Sequence, residues 1–242
     1  MKFTFNNKTL ERKDIQDDDF AEFLDIVAPY CMLMVVGSIE VLYSLYANVR
    51  HVITHDIQGD IVECGVWKGG MVLLAALTLK RFGDESRKIY LYDTFSGMPK
   101  PGDEDIDWDG NPALRVWEHW NEKQTSWGFG GTVEEVRQVV GLSGYPLDKF
   151  VFVEGMVEDT IPKTVPEKIS VLRLDTDLYG STYHELVHLY PKLSVGGFLI
   201  IDDYGFYQGA RKATDQYIEQ NNLDIFLARI HWSVRMGVKT SP

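Results

Sequence analysis

From Gly59 onward the chain alternates short apolar runs of β type with stretches of helical spacing. That rhythm constrains the fold more than any other feature. Alternating strands and helices bury their faces as a mostly parallel, doubly wound α/β sheet with helices on both sides. The expected strands are Asp60 to Cys64, Lys88 to Asp93, Phe150 to Glu154, Ile169 to Asp175 and Phe198 to Asp203. Helices are expected over Met71 to Phe82, Tyr183 to Lys192 and Gly209 to Asn221. Ile225 to Trp232 and Val234 to Lys239 read as two closing strands with a tight antiparallel connection, a common ending for such a sheet.

Two stretches fall outside the rhythm. Residues 1–57 read as a helical extension, with helices over Phe20 to Ala28 and Ile39 to Thr54. In the second, Ile39, Leu42, Tyr43, Tyr46, Val49 and Ile53 recur at helical spacing, as on a helix packed against a core. The α/β domain then covers 58–242. Within it Pro101 to Gly131 is too long for an ordinary connection. It carries Trp108, Trp117, Trp120 and Trp127 with Arg115 and His119 among them, too aromatic for disorder. It reads as a partly helical lid, and His119 within it as a surface residue by default.

The carboxyl ends of two strands carry the chemistry. One reads Ser170-Val-Leu-Arg-Leu-Asp175-Thr-Asp177, the other Gly196-Gly-Phe-Leu-Ile-Ile-Asp202-Asp203. Ligands of open α/β sheets sit outside the carboxyl ends of the strands. If these strands are neighbours, four aspartates converge, which is unfavourable unless a cation or a shared proton neutralises them. The bland alternative is ordinary turn and cap use, and Asp177 is the member it fits best.

On the same rim, Glu63-Cys-Gly65-Val-Trp67-Lys-Gly69-Gly70 opens the first helix. Trp67 stands where a dinucleotide fingerprint needs its second glycine, which disfavours a pyrophosphate ligand. The turn suits a phosphate-free ligand that uses backbone N–H groups. Asp93, ending the second strand, is placed to accept hydrogen bonds from ribose hydroxyls; a turn aspartate is its plainer reading. Glu154-Gly155-Met156 ends the third strand, where an adenine ring could lie.

A net charge of −12 over 242 residues argues against nucleic acid and against anionic membranes as partners. No apolar run is long enough to span a bilayer, and the first residues lack a signal-peptide stretch. Cys31 and Cys64 make no disulfide framework, so a reduced, cytoplasmic protein is expected. His184-Glu-Leu-Val-His188 matches a zinc-protease pattern. It is rejected because no third ligand follows and because Thr182 to Glu185 reads as a capping box.

Taken together, Gly59-Asp-Ile-Val-Glu-Cys-Gly-Val-Trp-Lys-Gly-Gly, Tyr92-Asp-Thr-Phe-Ser-Gly-Met-Pro, Leu174-Asp-Thr-Asp-Leu-Tyr-Gly-Ser-Thr and Gly196-Gly-Phe-Leu-Ile-Ile-Asp-Asp-Tyr resemble the macrocin O-methyltransferase family from about Gly37 to the C-terminus. The resemblance implies a Rossmann-like class I methyltransferase fold. It implies S-adenosylmethionine and Mg²⁺ as cofactors, a sugar hydroxyl of a natural product such as an antibiotic as acceptor, and a homodimer. By position, Asp175, Asp202 and Asp203 would hold the metal and Asp177 would be the general base. Glu63, Gly65, Gly69 and Asp93 would contact the methyl donor, with Trp67, Phe95, Ser96, Gly155 and Met156 completing that set. Rival readings are a catechol-type O-methyltransferase, a nicotinamide-dependent oxidoreductase and a non-catalytic binding subunit.

Overall fold

The computed structural model describes residues 2–5, 8–11, 15–31, 38–123 and 128–242; Gly37 and Trp127 lie outside them. The chain opens with β1 (Lys2–Phe5) and β2 (Lys8–Glu11), an antiparallel hairpin. The extension is therefore not wholly helical; the period-2 alternation of Lys-Phe-Thr-Phe favours a strand. Helix α1 (Asp18–Val27) starts where Asp17 Oδ1 accepts the Phe20 N–H at 3.0 Å. The acidic run at Asp17 is a helix start, complementary to the dipole. Helix α2 (Ser38–Thr54) follows.

The strands β3 (Asp60–Cys64), β4 (Ile89–Asp93), β5 (Phe150–Glu154), β6 (Ile169–Leu174), β7 (Leu193–Ile201), β8 (Ala228–Arg229) and β9 (Arg235–Val238) form one sheet in the order β5-β4-β3-β6-β7-β9-β8. β3 to β7 pair in parallel, and the last two strands are antiparallel. The two acidic strands are neighbours, with Leu174 opposite Ile201. Chain order reverses between β3 and β6, which opens a crevice at their carboxyl ends.

Period-2 alternation divides the core. Ile61, Leu91, Val171 and Ile200 face α1, α2 and helix α3 (Gly70–Arg81). Val62, Cys64, Leu172, Leu174 and Ile201 face helix α7 (Tyr179–Leu189). The N-terminal helices thus belong to the main core. Gly70 shows how closely they pack, since a Cβ there would overlap Cys31 Sγ and the Tyr30 carbonyl. Among the described residues, no helix is long and apolar enough to cross a membrane.

Between β4 and β5 lie α4 (Ala113–Glu122) and α5 (Val133–Gly141). The second begins with a full capping box of Thr132 and Glu135. The segment before α4 is strapped to the domain. Asp105, buried, accepts the Tyr179 N–H at 2.7 Å and the Gly102 N–H at 2.7 Å. Asp107 bridges to Tyr207, just ahead of helix α8 (Gln208–Gln220). Asp105 also caps α7 from a distance, because Leu178 at its N-cap offers no side-chain acceptor. A short α6 (Val157–Thr160) completes the helices among the described residues.

Candidate active site

The strand register places two opposite charges side by side. Glu63 on β3 stands opposite Arg173 on β6, and both side chains are buried. The Arg173 guanidinium donates to Glu63 Oε1 at 2.5 Å, Asp175 Oδ2 at 2.7 Å and Asp202 Oδ1 at 2.7 Å. The chain therefore supplies its own cation to the acidic rim, which the pattern of aspartates did not reveal. One positive charge is still too few. Burial holds Glu63 up at about 7 despite Arg173. Burial also pushes Asp175 and Asp203 well above the usual carboxylate range, with Asp202 and Asp203 acting on the first and Asp177 on the second.

Asp175, Asp177 and Asp203 each present an oxygen within 4.8 Å of the others. Burial, seconded by the charges of Asp175 and Asp202, raises Asp177 to about 7. Asp203 Oδ2 is buried without a partner. Hard carboxylate oxygens gathered this way fit a divalent ion such as Mg²⁺. This trio differs from the expected ligand set. Asp177 joins it, while Asp202 turns one oxygen to Arg173. Asp177 also adopts a left-handed backbone, φ 67°. Tyr207 lies close by, its phenol raised by burial and then by Asp177 and Asp203.

The same cavity, of about 510 Å³, reaches the glycine turn. Gly65 has φ 82°, and a Cβ on it would overlap the Asp175 carbonyl. Asp93 takes the role of a turn organiser. Its Oδ2 accepts the Val66 and Trp67 N–H groups at 2.7 and 3.0 Å, and its Oδ1 accepts the Phe95 N–H at 2.7 Å. The Val66 and Trp67 backbone donors expected to serve a ligand are thus engaged by Asp93, which itself lines the cavity. Gly65, Trp67, Gly155 and Met156 line the cavity beside Glu63 and Asp93. Gly69 caps α3 behind the wall. Phe95 is turned into the core and Ser96 is exposed, so neither lines it. Thr94, Gly97 and Gly70 take their places.

The far wall consists of residues that carried no signal of their own. Phe206, Tyr207, His231 and Trp232 line it, and Trp108 from the strap packs edge-on against Trp232 at 6.0 Å. Trp108 thus reaches the rim through Trp232. Trp117, Trp120, Arg115 and His119 do not line the cavity. The zinc pattern is dismantled on different grounds from those expected. Helix α7 begins at Tyr179, so Thr182 caps nothing. Glu185 is fully buried, and His184 Nε2 bonds the Ile161 carbonyl at 2.9 Å.

A family model described as Macrocin-O-methyltransferase (TylF) matches residues 4–236. The chain belongs to the macrocin O-methyltransferase family. It is 34% identical over 197 residues to mycinamicin III 3''-O-methyltransferase of Micromonospora griseorubida, covering 81% of this chain and 74% of that one. It is 36% identical over 176 residues to 8-demethyl-8-(2,3-dimethoxy-alpha-L-rhamnosyl)-tetracenomycin-C 4'-O-methyltransferase of Streptomyces olivaceus, covering 73% and 64%. The solved O-methyltransferase NovP superposes with a TM-score of 0.74 at 30% identity, over 84% of this chain and 81% of that one. A Podospora anserina methyltransferase, PaMTH1, solved with S-adenosylhomocysteine bound, shares the fold at a TM-score of 0.53 and 12% identity, over 93% and 89%. This chain is an O-methyltransferase with the mostly parallel sheet of that enzyme class.

Proposed function

We propose that this O-methyltransferase uses S-adenosylmethionine and Mg²⁺ to methylate a sugar hydroxyl on a glycosylated natural product. The observation that carries the reading is one cavity joining the glycine turn at Gly65 and Asp93 to the carboxylates at Asp175, Asp177 and Asp203. The named relatives, one of which acts at the 4' position of a rhamnosyl compound, support the acceptor class.

Electrostatics narrow the ligands. Seven carboxylates and one guanidinium line the cavity, and Arg173 is already shared by three of them. Such a site favours a sulfonium cation and disfavours phosphate-bearing ligands. It therefore disfavours a nicotinamide dinucleotide, and it suits a neutral or cationic acceptor. Trp232 and Phe206 offer the apolar faces on which a sugar ring stacks.

Asp175, Asp202 and Asp203 would hold Mg²⁺, Asp202 through the oxygen that Arg173 leaves open. When bound, the ion would lower the pKa of an acceptor hydroxyl and fix its direction. Asp177, raised to about 7 by burial in the metal-free site, would take the hydroxyl proton, and the bound donor would supply the methyl group with its sulfur as leaving group. Glu63 and Arg173 keep the metal side and the donor side in register, since they bridge β3 and β6. Residues 1–57 would serve as a substrate cap, Tyr30, Val41 and Leu42 already lining the cavity. Residues 101–131 would close over the acceptor, and a homodimer is expected.

Asp177→Asn and Asp202→Asn separate these roles. Asp177→Asn should keep Mg²⁺ binding in calorimetry and lose turnover by about 100-fold or more, whereas Asp202→Asn should lose both. The reverse pattern would make the Asp175–Asp177–Asp203 trio the ligand set. A panel of glycosides and catechols, assayed with and without EDTA, tests acceptor and metal together. Undiminished turnover in EDTA would end the metal mechanism.

A further inference from the structure

Glu185 is the one part of the rejected zinc pattern that the fold buries completely, and the reaction as described gives it no task. Its Oε1 accepts the Thr176 hydroxyl at 3.0 Å. Its Oε2 is buried without an oxygen or nitrogen partner. The same carboxyl, after burial, holds the fully buried Cys64 thiol, next to Gly65, well above its ordinary value. No cation pairs with Glu185 among the described residues; burial raises its carboxyl, and the charge of Glu158, another acid, adds to that. A lone buried acid is unfavourable for stability, and an apolar residue of like volume would remove the penalty.

Thr176 sits between Asp175 and Asp177, where the backbone is contorted. Asp177 has φ 67°, a conformation that persists in a non-glycine residue only when its surroundings hold it. The Leu178 N–H returns to the Thr176 carbonyl at 2.7 Å, and the Ser181 hydroxyl lies 3.4 Å from that carbonyl. Both of those contacts engage only the Thr176 carbonyl. The Thr176 side chain is held by Glu185 alone among the bonds described.

We propose that Glu185 is a positioning residue, which through Thr176 sets the turn that aims Asp175 and Asp177 at the metal and the acceptor hydroxyl. The inference rests on the reading of those aspartates as ligand and base. Glu185 does not line the cavity itself. It works from the α7 side of the sheet, as Arg173 works from the other.

The test compares Glu185→Leu, Glu185→Gln and Thr176→Val by three readouts that need no acceptor. These are Mg²⁺ affinity by calorimetry with S-adenosylhomocysteine present, S-adenosylhomocysteine affinity by tryptophan fluorescence, and melting temperature. Glu185→Leu should weaken Mg²⁺ binding by about 10-fold or more, with S-adenosylhomocysteine affinity and melting temperature not lowered. Glu185→Gln, which keeps an acceptor for Thr176, should bind Mg²⁺ within about 3-fold of wild type, and Thr176→Val should match the Leu variant. Equal Mg²⁺ affinities in the Leu and Gln variants, or Mg²⁺ and S-adenosylhomocysteine weakened together, would overturn the proposal. Should Glu185→Leu fail to fold, Thr176→Val decides by the same measure. Should wild type itself bind no Mg²⁺, the metal reading has failed separately. Crystal structures then decide about Glu185: a turn over 175–178 unmoved in the Leu or Val variant refutes it, a displaced turn supports it.

Discussion

Arg173 offers the sharpest test of how the rim is held together. Its guanidinium binds three carboxylates at 2.5 to 2.7 Å, and its side chain is only 6% exposed. Arg173→Met keeps the length of the side chain and removes the charge. Breaking a buried ion pair on one side costs about 3–5 kcal/mol, because the partner is left uncompensated. The abandoned acids can escape by taking up protons, at ~1.4 kcal/mol per pH unit for each. With the folded values of Glu63 and Asp175 already raised above the unfolded ones, the variant is least impaired at low pH and loses stability as pH rises. In a chain of 242 residues, 1 kcal/mol corresponds to about 2–4 °C in Tm. Arg173→Met should therefore melt roughly 6–20 °C below wild type near pH 8 and within a few degrees of it near pH 5. Circular dichroism melts of metal-free protein across that range provide the measurement, and adding Glu63→Gln should recover part of the deficit. A deficit that is absent at both ends, or equal at both, would refute the role of Arg173 as counter-ion.

Wild-type metal-free protein should itself lose stability between about pH 4.5 and pH 7, since Glu63 and Asp177 titrate near 7 when folded and near 4 when unfolded. Glu63 alone accounts for ~3 kcal/mol. Mg²⁺ should flatten that decline, and its affinity in calorimetry should rise with pH up to about 7 as protons leave the cluster. Gly65→Ala places a Cβ against the Asp175 carbonyl at φ 82°. It should cost at least ~1–2 kcal/mol in denaturant titrations and weaken S-adenosylhomocysteine binding, while Gly83→Ala, in open space, should cost no more than the backbone strain. Asp105→Ala removes the distant cap of α7 and should destabilise by about 1–2 kcal/mol, with hydrogen exchange accelerated at Tyr179.

The sheet was legible because its signal is a period. Strands β3, β4 and β5 and the helices α3 and α8 lie within a residue or two of where apolar runs and glycines put them. Helix α7 starts earlier than expected, because its cap, Asp105, comes from a distant loop that no local pattern discloses. Helix α5 was readable, since Thr132-Val-Glu-Glu135 is a capping box in a stretch overshadowed by the tryptophans before it. Asp175 and Asp203 emerged from sequence because two neighbouring strands end in acids. Arg173 stood in the same run, and a lone cation inside an apolar strand is itself a signal that acids surround it. Trp232 and Phe206 gave none, since their place at the rim depends on how the chain returns after β7.

The counter-ion and the aspartates also explain one another. A rim with acids alone would rest on a bound metal for its folding, and metal loss would then unfold the sheet at its switch point. Arg173 offsets part of the charge of the acids it touches, Glu63, Asp175 and Asp202. It leaves Asp177 and the buried oxygen of Asp203 unneutralised. The least compensated charge thereby falls on Asp177 and Asp203, which line the cavity together with Tyr207 and Trp232. A divalent ion would be drawn there at little cost to the fold when it leaves. That division predicts that Arg173→Met couples folding to Mg²⁺ far more tightly than in wild type. The variant's melting temperature should rise with Mg²⁺ by more than the wild type's at equal saturation, and an equal rise in both would show that the two cations do not share the work.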